Sequence, residues 1–226
     1  AERVTAAAHL GCTVTSLVPT ALRRIDPRLF RSILVGGARP PSPRPANVIA
    51  TYGSTETGSG IVYEGRALEG VDVSIAPDGE ILVRGPMLMR GYRDGTTAID
   101  AQGWLHTGDM GELAPTGVLS VLGRRDDMIK SGGEKVWPDE VERVIAAISP
   151  EHHHCIVGVD DPEWGQVVVL VTDDSELDLD TVRSRVGESL PAYCAPRRIV
   201  QAKIPTTSIG KIARAEVRRL IQASHD

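Results

Sequence analysis

Four short segments of the chain bring together the residue types that handle phosphate, ribose and carboxylate chemistry. The first is TYGSTETG, Thr51 to Gly58. Hydroxyls and backbone N–H groups in such a loop can cradle a phosphate. Gly53 permits a tight turn there. Glu56 offers the hard oxygen that Mg2+ prefers, and Tyr52 presents a flat face to a purine. The second segment, GWLHTGD, ends on Asp109, set between Gly108 and Gly111. A carboxylate can accept hydrogen bonds from both hydroxyls of a ribose, although the same residues read equally as an Asp-Gly turn.

The third segment runs from Gly123 to Glu142, GRRDDMIKSGGEKVWPDEVE. Its Arg124-Arg125-Asp126-Asp127 cluster is either a solvated charge run or a hinge, where one residue changes φ/ψ while its neighbours hold a ligand. Lys130, Gly132 and Gly133 follow. The fourth segment, PTTSIGKIAR from Pro205 to Arg214, carries Lys211. Lysine is a compact cation on a long stem, suited to reaching a phosphate and a carboxylate together. This is not a P-loop: Pro205 stands where that pattern needs glycine, and no Ser or Thr follows Lys211.

The elements that must position these groups change character along the chain. Helix and strand alternate first: a helix over 2–9, a β-rich run over 12–17, a short helix from Pro19 through Ile25, and strands over 32–35 and 48–52. That alternation predicts a parallel sheet. The RPPSPRP link between the two strands is a loop, because proline fixes φ and lacks an N–H. The middle reads as antiparallel, with strands over 71–75 and 80–85 about a Pro-Asp-Gly turn, and a further strand over 117–122. Beyond a boundary near Asp126 a small α+β pattern follows. Pro138 opens a helix whose Val141, Val144, Ile145 and Ile148 share one face. Strands over 156–159 and 166–171, a helix over 177–190, a short strand over 198–200 and a closing helix over 213–222 complete it.

Composition narrows the classes. The 226 residues are 41% hydrophobic and 24% charged, enough apolar material for a core. The net charge of -5 offers no basic stripe for nucleic acid. No apolar run is long enough to span a membrane. Cys12, Cys155 and Cys194 are far apart and odd in number, which reads as reduced thiols in a cytoplasm. Cys194 has no evident activating partner, so it is not read as a nucleophile. Neither do His152, His153 and His154 read as a zinc site, because consecutive strand residues face opposite ways; they are expected to lead into the strand that follows.

Taken together, the four segments resemble the adenylate-forming superfamily of acyl-CoA synthetases, peptide-synthetase adenylation domains and luciferases. The resemblance runs from about Gly11 to the end. Within it, the compact stretch TYGSTETGSGIVYEGRALEGVDVSI is similar to the 2-succinylbenzoate–CoA ligases of menaquinone synthesis. The resemblance implies a parallel sheet plus a small β-barrel over residues 1–125, the C-terminal part of a large nucleotide- and acyl-binding domain. A small mobile α+β lid over 126–226 is implied after it. The superfamily's Ser/Thr/Gly-rich phosphate loop is expected upstream of Ala1, which opens inside a predicted helix and so reads as a cut.

The resemblance also implies roles. Gly36, Gly37 and Ala38 would lie along the adenine and acyl pocket, with Tyr52 against the adenine and Gly53, Ser54 and Thr55 about the phosphates. Glu56 would hold Mg2+, Asp109 the ribose, and Arg124 would support that contact. Asp126 falls at the hinge. Lys130, Gly132 and Gly133 belong to the thioester-forming step, and Lys211 to adenylation. The implied co-substrates are ATP, CoA and a small carboxylic acid, with Mg2+ as cofactor; the oligomeric state stays open. The rival readings are another fatty or aryl acyl-CoA synthetase, an adenylation domain that loads a carrier protein, and an inactive nucleotide-binding fragment.

Overall fold

The computed structural model describes residues 1–38, 40, 43–207 and 212–223. Lys211, the lysine of SIGKIAR, lies outside them. The chain divides into two compact units, Ala1–Val121 and Leu122–Asp226.

The first unit begins with α1 (Glu2–His9), β1 (Val14–Leu17), α2 (Pro19–Leu22), β2 (Ser32–Val35) and β3 (Val48–Gly53). These three strands pair in parallel, Leu17 beside Val35 and Val35 beside Ala50. Their core holds Leu22, Phe30, Ile33, Val35 and Val48. α2 stops at Leu22, short of the expected Ile25, because Asp26 caps a separate turn of 3-10 helix over Pro27–Leu29, accepting the Arg28 N–H at 2.9 Å. Two strands that the sequence reading passed over, β4 (Gly60–Tyr63) and β5 (Arg66–Ala67), extend the sheet antiparallel to β3.

A second sheet follows, with order β6 (Asp72–Ile75), β7 (Glu80–Arg84), β8 (Leu105–Leu113) and β9 (Leu119–Arg124). β6 and β7 form the hairpin anticipated about Pro77-Asp78-Gly79, with Ile75 opposite Ile81. Of the two readings of HTGDMGEL, the Asp-Gly turn is not what forms. The GWLHTGDMGEL stretch lies mostly inside the nine-residue β8. The alternation Leu105, Thr107, Asp109 suits a strand, and Leu105 pairs with Val83.

In the second unit β10 (Ile129–Ser131) and β11 (Glu134–Val136) form a hairpin, and α3 (Pro138–Ile148) follows. β12 (His154–Asp161) and β13 (Gly165–Thr172) pair antiparallel over their whole length, from His154 opposite Thr172 to Asp161 opposite Gly165. After α4 (Leu179–Ser189), β14 (Arg198–Gln201) joins β13 in parallel, and α5 (Arg214–Ala223) closes the unit. Alternate residues of β12 and β13 enter two different cores. Ile156, Val168 and Leu170 pack with Val141 and Ile145 of α3 and Val182 and Val186 of α4. Cys155, Val157, Val169 and Val171 pack with Val217 and Ile221 of α5. Covering both faces explains why these strands read as nearly unbroken apolar runs. Among the described residues no helix is long and apolar enough to cross a membrane.

Candidate functional site

The first cluster sits where β2 and β3 end. Val35 pairs with Ala50 in parallel, so Gly36, Gly37 and Ala38 leave the sheet at the same end as Tyr52, Gly53, Ser54 and Thr55. Ligands in open parallel sheets bind outside these carboxyl ends. The approach there is close. A Cβ on Gly36 would stand 2.7 Å from Thr51 Oγ1, and one on Gly53 would stand 2.1 Å from the Ser59 carbonyl oxygen. Only glycine lets β3 turn against the returning β4 at that point.

The loop after Gly53 is tied by a residue the sequence reading did not single out. The buried Thr57 hydroxyl accepts the Ser54 N–H at 2.8 Å and donates to the Ser59 carbonyl at 2.8 Å. Ser54 and Thr55 stay exposed at the tip. Glu56 is half-buried; its Oε1 accepts the Tyr92 hydroxyl at 3.0 Å, and its carbonyl accepts the Met89 N–H at 2.8 Å. Mg2+ in nucleotide sites typically takes one or two carboxylates plus phosphate oxygens. One carboxylate beside two exposed hydroxyls fits that donor set. No group of three or more ligating side chains occurs among the described residues, so an all-protein metal cage does not fit.

β8 brings Asp109 to Tyr52. The Tyr52 hydroxyl donates to Asp109 Oδ2 at 2.8 Å, linking residues 57 apart in sequence. The Asp109 N–H donates to Thr107 Oγ1 at 3.0 Å, and Thr107 Oγ1 donates to the Ile81 carbonyl at 2.7 Å. Glu80 is the second residue missed by sequence reasoning. It is buried at the start of β7, where Oε1 accepts the Gly108 N–H at 2.8 Å and Oε2 meets His106 Nδ1 at 3.0 Å. His106 is held protonated above the usual imidazole range, chiefly by the Glu80 hydrogen bond, with Asp100 adding to it and partial burial opposing it. Strand alternation hid Glu80, because Ile81 and Val83 take the core face of β7 and period two puts Glu80 on the other face, with exposed Arg84.

The remaining candidates belong to the second unit. Arg124 ends β9, and Arg125–Asp127 form one turn of 3-10 helix, with the Asp126 carbonyl accepting Arg218 Nη2 at 3.4 Å. Gly132 and Gly133 are the two central residues of the β10–β11 turn, with φ of 60° and 86°. Positive φ at both positions is the type I′ geometry that suits a two-residue hairpin. The Gly132 N–H donates to the Trp164 carbonyl at 2.9 Å. A Cβ on Gly132 would stand 2.8 Å from the Trp164 ring. Lys130 and Lys135 are exposed and directly opposed in register. Like charges so placed lower sheet stability.

The three histidines part company. His152 Nδ1 meets Ser149 Oγ at 3.2 Å, His153 Nδ1 meets Asp173 Oδ2 at 3.1 Å, and His154, buried at the start of β12, meets Thr172 Oγ1 at 3.0 Å and the Ser149 carbonyl at 2.7 Å. None of the three cysteines is in a disulfide. Burial pushes Cys155 up to about 12 and raises Cys194 as well, so both stay as thiols at neutral pH.

Residues 140–211 match the AMP-binding enzyme C-terminal domain. The chain has the adenylate-forming fold and carries its C-terminal domain. The chain is 35% identical over 213 residues to 2-succinylbenzoate–CoA ligase of Listeria monocytogenes, an alignment covering 83% of the chain and 45% of that protein. It superposes with a TM-score of 0.77 and 30% identity on o-succinylbenzoate CoA synthetase (MenE) of Bacillus subtilis in complex with the acyl-adenylate intermediate OSB-AMP, covering 91% of the chain and 51% of that structure. An amide bond synthetase from Marinactinospora thermotolerans gives a TM-score of 0.80 at 28% identity, covering 97% and 55%. The chain thus spans about half the length of the curated relatives it matches.

Proposed function

We propose that this chain is the nucleotide-binding and lid-bearing part of an AMP-forming acid–thiol ligase, and that its acid is 2-succinylbenzoate, in menaquinone synthesis. The observation that carries the reading is the 2.8 Å bond between Tyr52 and Asp109 at the carboxyl ends of β2 and β3. It joins a flat ring to a ribose-type acceptor beside two exposed hydroxyls. The likeness to the MenE acyl-adenylate complex supports the choice of substrate. We place the reaction in a cytoplasm, in keeping with three free thiols.

In the first half-reaction the substrate carboxylate attacks the α-phosphorus of ATP and pyrophosphate leaves. Tyr52 lies against the adenine, Asp109 accepts the ribose hydroxyls, Arg124 supports that contact, and Thr55 donates to phosphate oxygens. Glu56 is the residue that would hold Mg2+, which neutralises charge on the phosphates. Lys211 orients the carboxylate and stabilises the charge that develops in the transfer. In the second half-reaction the CoA thiolate attacks the acyl carbon and AMP leaves. The second unit turns about Asp126 between the two, and Gly132-Gly133 gives a thin pantetheine arm room to pass. Lys130 and Lys135 attract the CoA phosphates.

A second reading has one observation in its favour. The similarity to an amide bond synthetase admits an amine as the acyl acceptor in place of the thiol. One experiment separates them: the full-length protein given ATP and 2-succinylbenzoate should yield the thioester with CoA and no amide with an amine. Amide from the amine arm alone overturns the thiol assignment, and no pyrophosphate release with any acid overturns the adenylation reading itself. Lys211→Ala should slow pyrophosphate release while leaving thioester formation from supplied acyl-AMP.

A further inference from the structure

Among the described residues of the SIGKIAR segment, Arg214 has a side chain that grips three separate parts of the second unit. It opens α5, three positions after Lys211 in the sequence. Its side chain is only 15% exposed. The guanidinium forks onto the Glu142 carboxylate of α3, Nη2 meets Asp139 Oδ1 at 3.1 Å, and Nη1 donates to the Ile156 carbonyl of β12 at 2.7 Å. Nε reaches Asp127 Oδ2 at 3.4 Å. One helical turn on, Arg218 Nη2 reaches Asp127 Oδ1 at 3.8 Å and the Asp126 carbonyl at 3.4 Å.

The chain entering α5 is held as well. Thr206 bridges Ile212, and the Ala213 N–H donates to the Pro205 carbonyl at 2.9 Å. The guanidinium therefore connects the start of α5, the first turns of α3, the first half of β12 and the turn that contains Asp126. A surface ion pair is worth little, but this fork is largely out of water. Burial works against Arg214, yet Glu142 and Asp139 hold its proton more firmly than in a free arginine. An arginine spent on positioning needs this planar fork, which lysine lacks.

We infer that Arg214 is a positioning residue that locks the Arg125–Asp127 turn and the start of α5 into one body, so that any turning at Asp126 carries the Lys211 segment with it. The inference rests on the reading of Asp126 as hinge and Lys211 as the adenylation lysine. Without the lock, a turn at Asp126 would leave slack between hinge and lysine, and misplacement on the scale of 1 Å can cost a rate about 100-fold.

The test uses Arg214→Lys, Arg214→Met and the pair Arg214→Met with Glu142→Gln in the full-length protein. The pair removes the buried charge mismatch, and glutamine can still accept the Ile156 N–H that Glu142 accepts at 2.7 Å. Backbone hydrogen exchange at Met128 and Ala213 reads the lock directly, since both amides bond within the joined segments. We expect the pair to melt near the wild type, yet to exchange at both amides about tenfold or more faster and to lose adenylation about tenfold or more. Arg214→Lys should recover part of each. A pair that keeps wild-type exchange and wild-type adenylation overturns the inference. If the wild type forms no acyl-adenylate at all, the functional reading fails, while the exchange measurement still decides whether Arg214 makes the two segments one body.

Discussion

Asp109 and Arg214 are both charged residues set by long-range contacts, but the two units hold them by different means. Asp109 is half-buried and is held by a hydroxyl, a backbone amide and strand register. Arg214 is nearly enclosed and is met by the carboxylates of Glu142, Asp139 and Asp127. The first arrangement keeps a charge presented at the surface, where a ligand's hydroxyls can compete with a tyrosine. The second uses its charge inside the protein, where its partners are permanent. Position by neutral hydrogen bonds suits a group that must exchange partners, and position by a buried fork suits one that must not.

The contrast breaks most sharply at Arg214. Replacing it with alanine leaves the Glu142 carboxylate without its partner, and about 3–5 kcal/mol of stability should go, read as an earlier urea midpoint for the second unit. In the first unit Glu80→Ala strips the acceptor from the Gly108 N–H and from His106. Its cost should be about 1–3 kcal/mol, with exchange of the β8 amides as the check. Tyr52→Phe removes the hydroxyl that donates to Asp109. It should cost about 0.5–1.5 kcal/mol and, on the proposed function, weaken binding of an acyl-adenylate analogue measured by calorimetry. Equal losses for Tyr52→Phe and Arg214→Ala would erase the distinction between the two units.

The smallest effect has opposite signs in the two units. His106 has a raised folded pKa, so its contribution is whole below the unfolded value of about 6.5 and fades as pH rises through the folded value. His154 is lowered by burial, so its contribution is whole above about 6.5 and fades as pH falls toward the folded value. Protection factors, with base-catalysed intrinsic exchange divided out, should fall slightly for β8 amides from pH 6 to 8 and for β12 amides from pH 7 to 5. The same direction in both strands would contradict the assignments.

The sequence was legible where period and chemistry agreed. Val141 and Ile145 form the inward face of α3 as their spacing implied, the β6–β7 hairpin follows its Pro-Asp-Gly turn, and the β1–β3 alternation yields the parallel sheet. It was less legible where motif residues also serve as ordinary strand. The glycines of HTGDMGEL read as turn punctuation, yet β8 accommodates them because its partners hold it on both sides. β4 and β5 were hidden behind Gly58, Gly60 and Gly65, which look like loop. Tyr52 and Asp109 were each picked as ligand-facing groups, but nothing in their local sequence could reveal that they touch, because that contact follows from the meeting of two sheets. Arg214 was passed over for the neighbouring lysine, since a guanidinium's carboxylate partners lie 72 and 75 positions away.

On the proposed function, the hairpin tip at Gly132-Gly133 bears on how the choice of acid could change. A tip without side chains has no means of telling one acid from another; it offers only amides and space. On the proposed reading, discrimination among acids must be written elsewhere, and the second unit can serve a new substrate unchanged, like a common handle fitted to different blades.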